Sequence, residues 1–140
     1  MTGENEPREI DLQRVLCTLE QLEREGGARG FTLGEGDWPL RGFVVRVRAG
    51  VIRAFQNWCP HAGHQLNVVP HGFQSRDGSL LLCHSHGALF EKEDGLCIAG
   101  PCRGQRLNPV PIEVDAGLVL LAAGVDLEAL RKRTDLSSRR

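Results

Sequence analysis

Two short donor pairs, separated by 21 residues, constrain this chain more than any other feature: Cys59-Pro60-His61 and Cys83-His84-Ser85-His86. Each pair puts one thiol and one imidazole on a few residues of backbone, so two separate loops have to converge on one centre. Two thiolates with two imidazoles are the donors of a [2Fe–2S] cluster in which histidines replace both cysteines on one iron. Zinc accepts the same four groups, but its finger spacing groups the two cysteines first and the two histidines afterwards. Here the pairs are mixed. That favours iron–sulfur and leaves a zinc-stabilised structural domain as an alternative.

Composition narrows the rest. The 140 residues suffice for one domain with a real core. A net charge of −1 offers no strong field to draw nucleic acid or an anionic membrane. The N-terminus, Met1-Thr2-Gly3-Glu4-Asn5-Glu6, is polar and acidic, unlike a signal peptide. The longest apolar run, Leu118 to Val125, is eight residues including a glycine, too short for a membrane span and better read as a core strand. A soluble, cytoplasmic protein is the expectation. The five cysteines are an odd number, and a reducing compartment argues against a disulfide framework. Cys17, within Val15-Leu16-Cys17-Thr18-Leu19, reads as a small buried hydrophobe. Cys97 and Cys102 lie either side of a Gly100-Pro101 turn. They are expected as free thiols, although a bridge between them is geometrically possible.

Along the chain, short apolar runs alternate with turns. Strands are expected at Phe43–Val47 and Val51–Phe55 around Ala49-Gly50, and at Ser79–Leu82 after Asp77-Gly78. Ala88–Phe90 and Leu96–Ala99 flank Asp94-Gly95, and Val110–Val114 and Leu118–Leu121 flank Asp115-Ala116-Gly117. Evenly spaced strands of this length predict an antiparallel all-β domain. Asp11 to Glu23 is ambiguous, because Leu12, Val15, Leu16, Leu19 and Leu22 match helical spacing while Val-Leu-Cys-Thr-Leu has strand propensity. Leu127 to Arg133 fits a helical turn or two before a polar tail. Nothing in the glycine-rich stretches makes a dinucleotide fingerprint or a P-loop. The basic tail (Arg131, Lys132, Arg133, Arg139 and Arg140) reads as a solvated terminus.

Asn57-Trp58-Cys59-Pro60-His61-Ala62-Gly63-His64-Gln65-Leu66 resembles the first cluster loop of Rieske ferredoxins, and Cys83-His84-Ser85-His86-Gly87, with Phe90 and Asp94-Gly95 beyond it, resembles the second. Gly100-Pro101-Cys102 resembles the family's proline loop, which packs over the cluster. The resemblance implies a Rieske [2Fe–2S] domain over 14–123: an antiparallel β-sandwich base carrying a small cluster-binding subdomain at about 55–103. A polar segment at 1–13 and a short helical turn with a polar tail at 124–140 would flank it. It favours a strand at residues 14–19. It assigns Cys59, His61, Cys83 and His86 as the ligands, and it prefers His86 to His84. The spacing between the pairs is a few residues longer than usual in the family, with the excess expected in Asn67 to Gly78, away from the metal. His84 stands where the family commonly has proline. His64 and His71 read as exposed loop histidines, His64 near the cluster without ligating it, and Trp58 reads as a packing residue.

What the resemblance implies about function is one-electron transfer. Cys59 and Cys83 would hold an inner iron that stays ferric, and His61 and His86 an outer iron that cycles between ferric and ferrous. The histidine edge would be the docking face. The expected partners are a flavin-dependent reductase and an oxygenase or other terminal acceptor. The chain itself is expected to be a carrier and not an enzyme, since a 2-His-1-carboxylate iron domain has no residues left to build it. A regulatory or small subunit of a reductase complex is the other alternative. High-potential family members carry a disulfide between the two cluster loops, and the matching positions here are His64 and Ser85. They also place serine and tyrosine hydroxyls against cluster sulfurs, where this chain has Ala88 and Phe90. The resemblance therefore implies a low-potential centre that releases no proton on oxidation near neutral pH.

Overall fold

The computed structural model describes residues 11–34, 39–60 and 63–130; the polar ends at 1–10 and 131–140, and His61, lie outside them. Among the described residues the strands are β1 (Val15–Thr18), β2 (Ala28–Leu33), β3 (Leu40–Arg48), β4 (Val51–Gln56), β5 (Leu81–Leu82), β6 (Leu89–Phe90), β7 (Cys97–Ala99), β8 (Ile112–Asp115) and β9 (Leu118–Leu121). They form three antiparallel sheets, ordered β1-β9-β8, β2-β3-β4 and β5-β6-β7. The all-β expectation holds. Residues 127–130 are helical, and the rest of the helical stretch expected over 127–133 lies outside the described residues. No described helix is long and apolar enough to cross a membrane.

The ambiguous segment turns out to be both things in succession. Val15–Thr18 is a strand because it pairs with β9, and α1 (Leu19–Arg24) starts immediately after it. Thr18 makes the switch. Its hydroxyl accepts from the Gln21 N–H at 2.9 Å while the Gln21 side chain accepts from the Thr18 N–H at 3.0 Å, a reciprocal cap that starts the helix. The strand expected over 14–19 therefore stops at Thr18. The glycines after α1 take left-handed conformations (Gly26 φ 81°, Gly27 φ 99°) and reverse the chain into β2. Sequence reading assigned no strand there. β2 exists because six residues pair in continuous register with β3, from Ala28 opposite Val45 to Leu33 opposite Leu40.

The central sheet β2-β3-β4 is buried on both faces, and this organises the molecule. Along β3, Phe43 and Val45 join the core under the cysteine loops, whereas Leu40 and Val44 join the base core built with β1, β8 and β9. Phe55 and Ala54 on β4 divide in the same way. Alternation with a period of two sends successive side chains to opposite faces. A run such as Phe43-Val44-Val45 is therefore continuous in sequence but split between two cores in space.

Candidate metal centre

The two donor loops are built by the same backbone device. The Cys59 N–H donates to His64 O at 2.7 Å, and Cys59 O accepts from the Gly63 N–H at 2.9 Å. Five and four residues on from Cys83, the pattern repeats: Cys83 N–H to Ala88 O at 2.9 Å, and Gly87 N–H to Cys83 O at 2.9 Å. Gly63 (φ 69°) and Gly87 (φ 73°) both take the left-handed conformation that lets the loop close. Gly63 is further constrained by Trp58, since a Cβ there would stand 3.1 Å from the indole. Trp58 is thus a packing residue, as expected.

Each loop has its cysteine at the root and its tip at the surface. Cys59 and Cys83 are buried, while His64, His84 and His86 are exposed. The two tips are neighbours: the His64 and His86 rings stand 6.2 Å apart, and the His84 N–H donates to Leu66 O at 2.9 Å, tying the second loop to the end of the first. Asn57 fixes the return of the first loop by accepting from the Leu66 N–H at 2.8 Å and donating to Asn67 Oδ1 at 2.8 Å. A third segment lies on the second loop. A Cβ on Gly100 (φ 103°) would meet Ala88 Cα at 2.8 Å, so only glycine lets the Gly100-Pro101 turn lie so close.

The donor set fits an iron–sulfur group. Two sulfurs sit in a core of Leu66, Leu81, Ala88, Phe90 and Leu107, and an imidazole, that of His86, stands at the surface above. Among the described residues no three His, Cys, Asp or Glu side chains converge as one metal ion would require. A [2Fe–2S] cluster asks only two protein donors of each iron, and His61 lies outside the described residues. Ala88 and Phe90 are fully buried, and their side chains bring no hydrogen-bond donor.

Two features escaped sequence reasoning. His71 was expected as an exposed loop histidine, but it is half-buried: its Nδ1 accepts from the Gly30 N–H at 3.0 Å and its Nε2 lies 3.6 Å from Glu25 Oε2. It pins the long 67–78 connection to β2. The second feature is sulfur. Cys102 S–H donates to Cys97 Sγ at 3.1 Å, and Cys97 S–H donates to Ala99 O at 3.2 Å. Burial pushes the Cys102 thiol up, and its hydrogen bond to Cys97 and the neighbouring Cys59 sulfur push it further, so it stays protonated. Cys17, far from these on β1, is the buried hydrophobe it was expected to be, and burial raises its pKa to about 11.

A family model described as Rieske [2Fe–2S] domain matches residues 13–119. The oxygenase subunit of carnitine monooxygenase from Escherichia coli (strain K12) is 33% identical over 86 residues, which are 56% of this chain and 22% of that protein. The chain thus spans under a quarter of the curated relatives it matches. Among solved structures, the Sphingomonas yanoikuyae B1 ferredoxin superposes with a TM-score of 0.57 at 21% identity, covering 76% of this chain and 94% of the other. The ferredoxin of carbazole 1,9a-dioxygenase from Nocardioides aromaticivorans IC177 gives 0.59 at 24% identity, covering 77% and 94%. These two likenesses concern the fold.

Proposed function

The chain belongs to the Rieske [2Fe–2S] domain family, and from that premise we propose that it carries single electrons on a cluster held by Cys59, His61, Cys83 and His86. When bound, the cluster supplies one-electron chemistry, with the iron between neutral imidazoles the more easily reduced of the two. The protein's own part is to hold two thiolates out of water at the roots of the loops and to present the imidazole edge outward. The observation that carries this reading is the repeated loop closure, which leaves Cys59 and Cys83 buried and His86 exposed. An exposed edge lets a partner approach without opening the core. We assign the donor to a flavin-dependent reductase and the acceptor to an oxygenase or other terminal acceptor. That assignment is supported by the likeness to a ferredoxin of a dioxygenase and to an oxygenase subunit.

Purification without air, followed by absorption and reduced-state EPR spectra, tests the reading. A red-brown protein with a paramagnetic reduced form is expected. Alanine at Cys59, His61, Cys83 or His86 should abolish or replace that spectrum, whereas His84→Ala and His64→Ala should keep it. A colourless zinc protein would sink the proposal. Loss of the cluster in His84→Ala with retention in His86→Ala would show the second loop to be misassigned.

A further inference from the structure

The two donor loops and the turn laid on them share a charge pattern unlike that of the rest of the chain. Segments 57–72, 83–90 and 99–106 contain all five histidines but no aspartate or glutamate, so the 18 carboxylates of a chain with net charge −1 lie elsewhere. Two exposed arginines border these segments. Arg103 follows Cys102 on the turn whose Gly100 rests against Ala88 of the second loop. Arg41, near the start of β3, lines a hollow of about 260 Å³ with Gln65, Asn67 and Pro70. Among the described residues no carboxylate pairs with either guanidinium, and Glu25, which approaches His71, is already paired with Arg29 at 3.4 Å. The hollow is left with donors. The Leu66 N–H holds Asn57 Oδ1 as an acceptor, so the Asn57 amide N–H groups donate to Asn67 Oδ1 at 2.8 Å and Gln65 Oε1 at 3.4 Å. That leaves the Gln65 amide N–H groups and the Arg41 guanidinium, a set that suits a carboxylate.

Beside the hollow, Val68 and Val69 are 71% and 55% exposed. Single apolar side chains in water are ordinary, but these two are adjacent and their turn is fixed. Val69 O accepts from Asn67 Nδ2 at 3.0 Å and from the Gly72 N–H at 3.1 Å, and His71 (φ 62°) is tied to Gly30. Leu66 O accepts from the His84 N–H, so Val68 stands two residues beyond the junction of the loop tips. A turn already held in place loses little entropy when it is covered. We propose that the redox partner meets this face with an acidic surface, its carboxylates taking Arg41 and Arg103 and an apolar spot covering Val68 and Val69. The inference rests on the reading of the chain as an electron carrier and names the chemistry of its partner. A second copy of this chain fits worse, because a two-fold contact would set arginines against a face without carboxylates. A lipid surface fits worse too, since its recognition takes clusters of about four to eight basic residues.

The test uses the cluster-loaded full chain on gold electrodes coated with alkanethiols. Coatings ending in carboxylate, in mixed carboxylate and methyl, or in amine stand in for acidic, acidic-apolar and basic partner faces. Voltammetry at rising scan rate gives the electron-transfer rate on each. Transfer should be about tenfold faster on carboxylate than on amine, should slow as salt is raised, and should be fastest on the mixed coating. Arg41→Glu and Arg103→Glu should each remove most of the carboxylate advantage. Val68→Ser with Val69→Ser should remove only the extra gain of the mixed coating. Arg24→Glu makes the same change of charge on α1, which packs on the base core, and should leave every rate unchanged. Equal rates on carboxylate and amine overturn the proposal, as does an Arg24→Glu loss as large as that of Arg41→Glu. Sedimentation that finds a dimer broken by the valine substitutions also overturns it, since the face would then belong to a second copy. A Rieske-type EPR signal in each variant shows that the fold is kept. Its absence from the wild type instead overturns the electron-carrier reading.

Discussion

The positions that flank the proposed ligands decide how strongly the centre holds its electron. Ala88 and Phe90 are fully buried in the wall of the second loop, and neither side chain has a proton to offer a sulfur. A hydrogen bond to sulfur stabilises the reduced form, and about 1.4 kcal/mol of that preference moves a one-electron potential by about 59 mV. The wild type should therefore lie near the bottom of the span of roughly −150 to +300 mV open to Rieske centres. Ala88→Ser and Phe90→Tyr should each move it upward in protein-film voltammetry. A wild-type value well above zero, or two variants that do not move, would refute the argument.

At the scale of the element, the long 67–78 connection matters most, because it joins the two donor loops. It is no slack surface loop. Phe73 is 1% exposed and stacks on Phe43 of β3, with ring centroids 4.4 Å apart and planes 15° from parallel. It also lies over Gly30 of β2, where an added Cβ would stand 3.2 Å from the ring. The turn that follows is drawn tight by Asp77, which accepts from the Ser79 N–H and hydroxyl and from the Ser75 hydroxyl; these bonds bring its pKa down to about 2. Phe73→Ala should therefore cost about 3–5 kcal/mol, the usual loss for a buried phenylalanine. Denaturant unfolding of the cluster-loaded protein would measure it. A loss under about 1 kcal/mol would mean that the site collapses freely and that the stack anchors nothing.

The whole molecule has two cores that share one sheet. Phe43, Val45 and Phe55 face the donor loops, and Leu40, Val44 and Ala54 face the base, so the central sheet can survive damage on one side. The sulfur-bearing core depends on its metal group for part of its stability, because whatever binds only the folded form stabilises it. Stripping iron with a chelator should therefore raise hydrogen exchange first at Cys83, Gly87, Cys97 and Gln105. Amides of the β1-β9-β8 sheet, such as Val119 and Leu121, should stay protected. Equal loss of protection in both regions would show that the two cores unfold as one unit and not as separable ones.

The sequence by itself determined what local chemistry can determine. The strands from β3 to β9 lie close to their expected positions because alternation and turn residues are short-range signals. Ala116 (φ 52°) and Gly117 (φ 79°) form the tight turn that Asp115-Ala116-Gly117 announced. The proposed donors are named for the same reason, since thiol and imidazole at such spacing suit few centres. The structure buries Cys59 and Cys83 and exposes His86, while His61 lies outside the described residues. Tertiary structure decided the rest. β2 is set by its pairing with β3, and the break at Thr18 by the distant β9 on one side and a local cap on the other. The half-burial of His71 and the meeting of Cys59, Cys97 and Cys102 need loops remote in sequence to fold onto one another. No pattern within a single segment encodes such a distance: it follows from which sheet each segment joins and from which face of that sheet is left to cover.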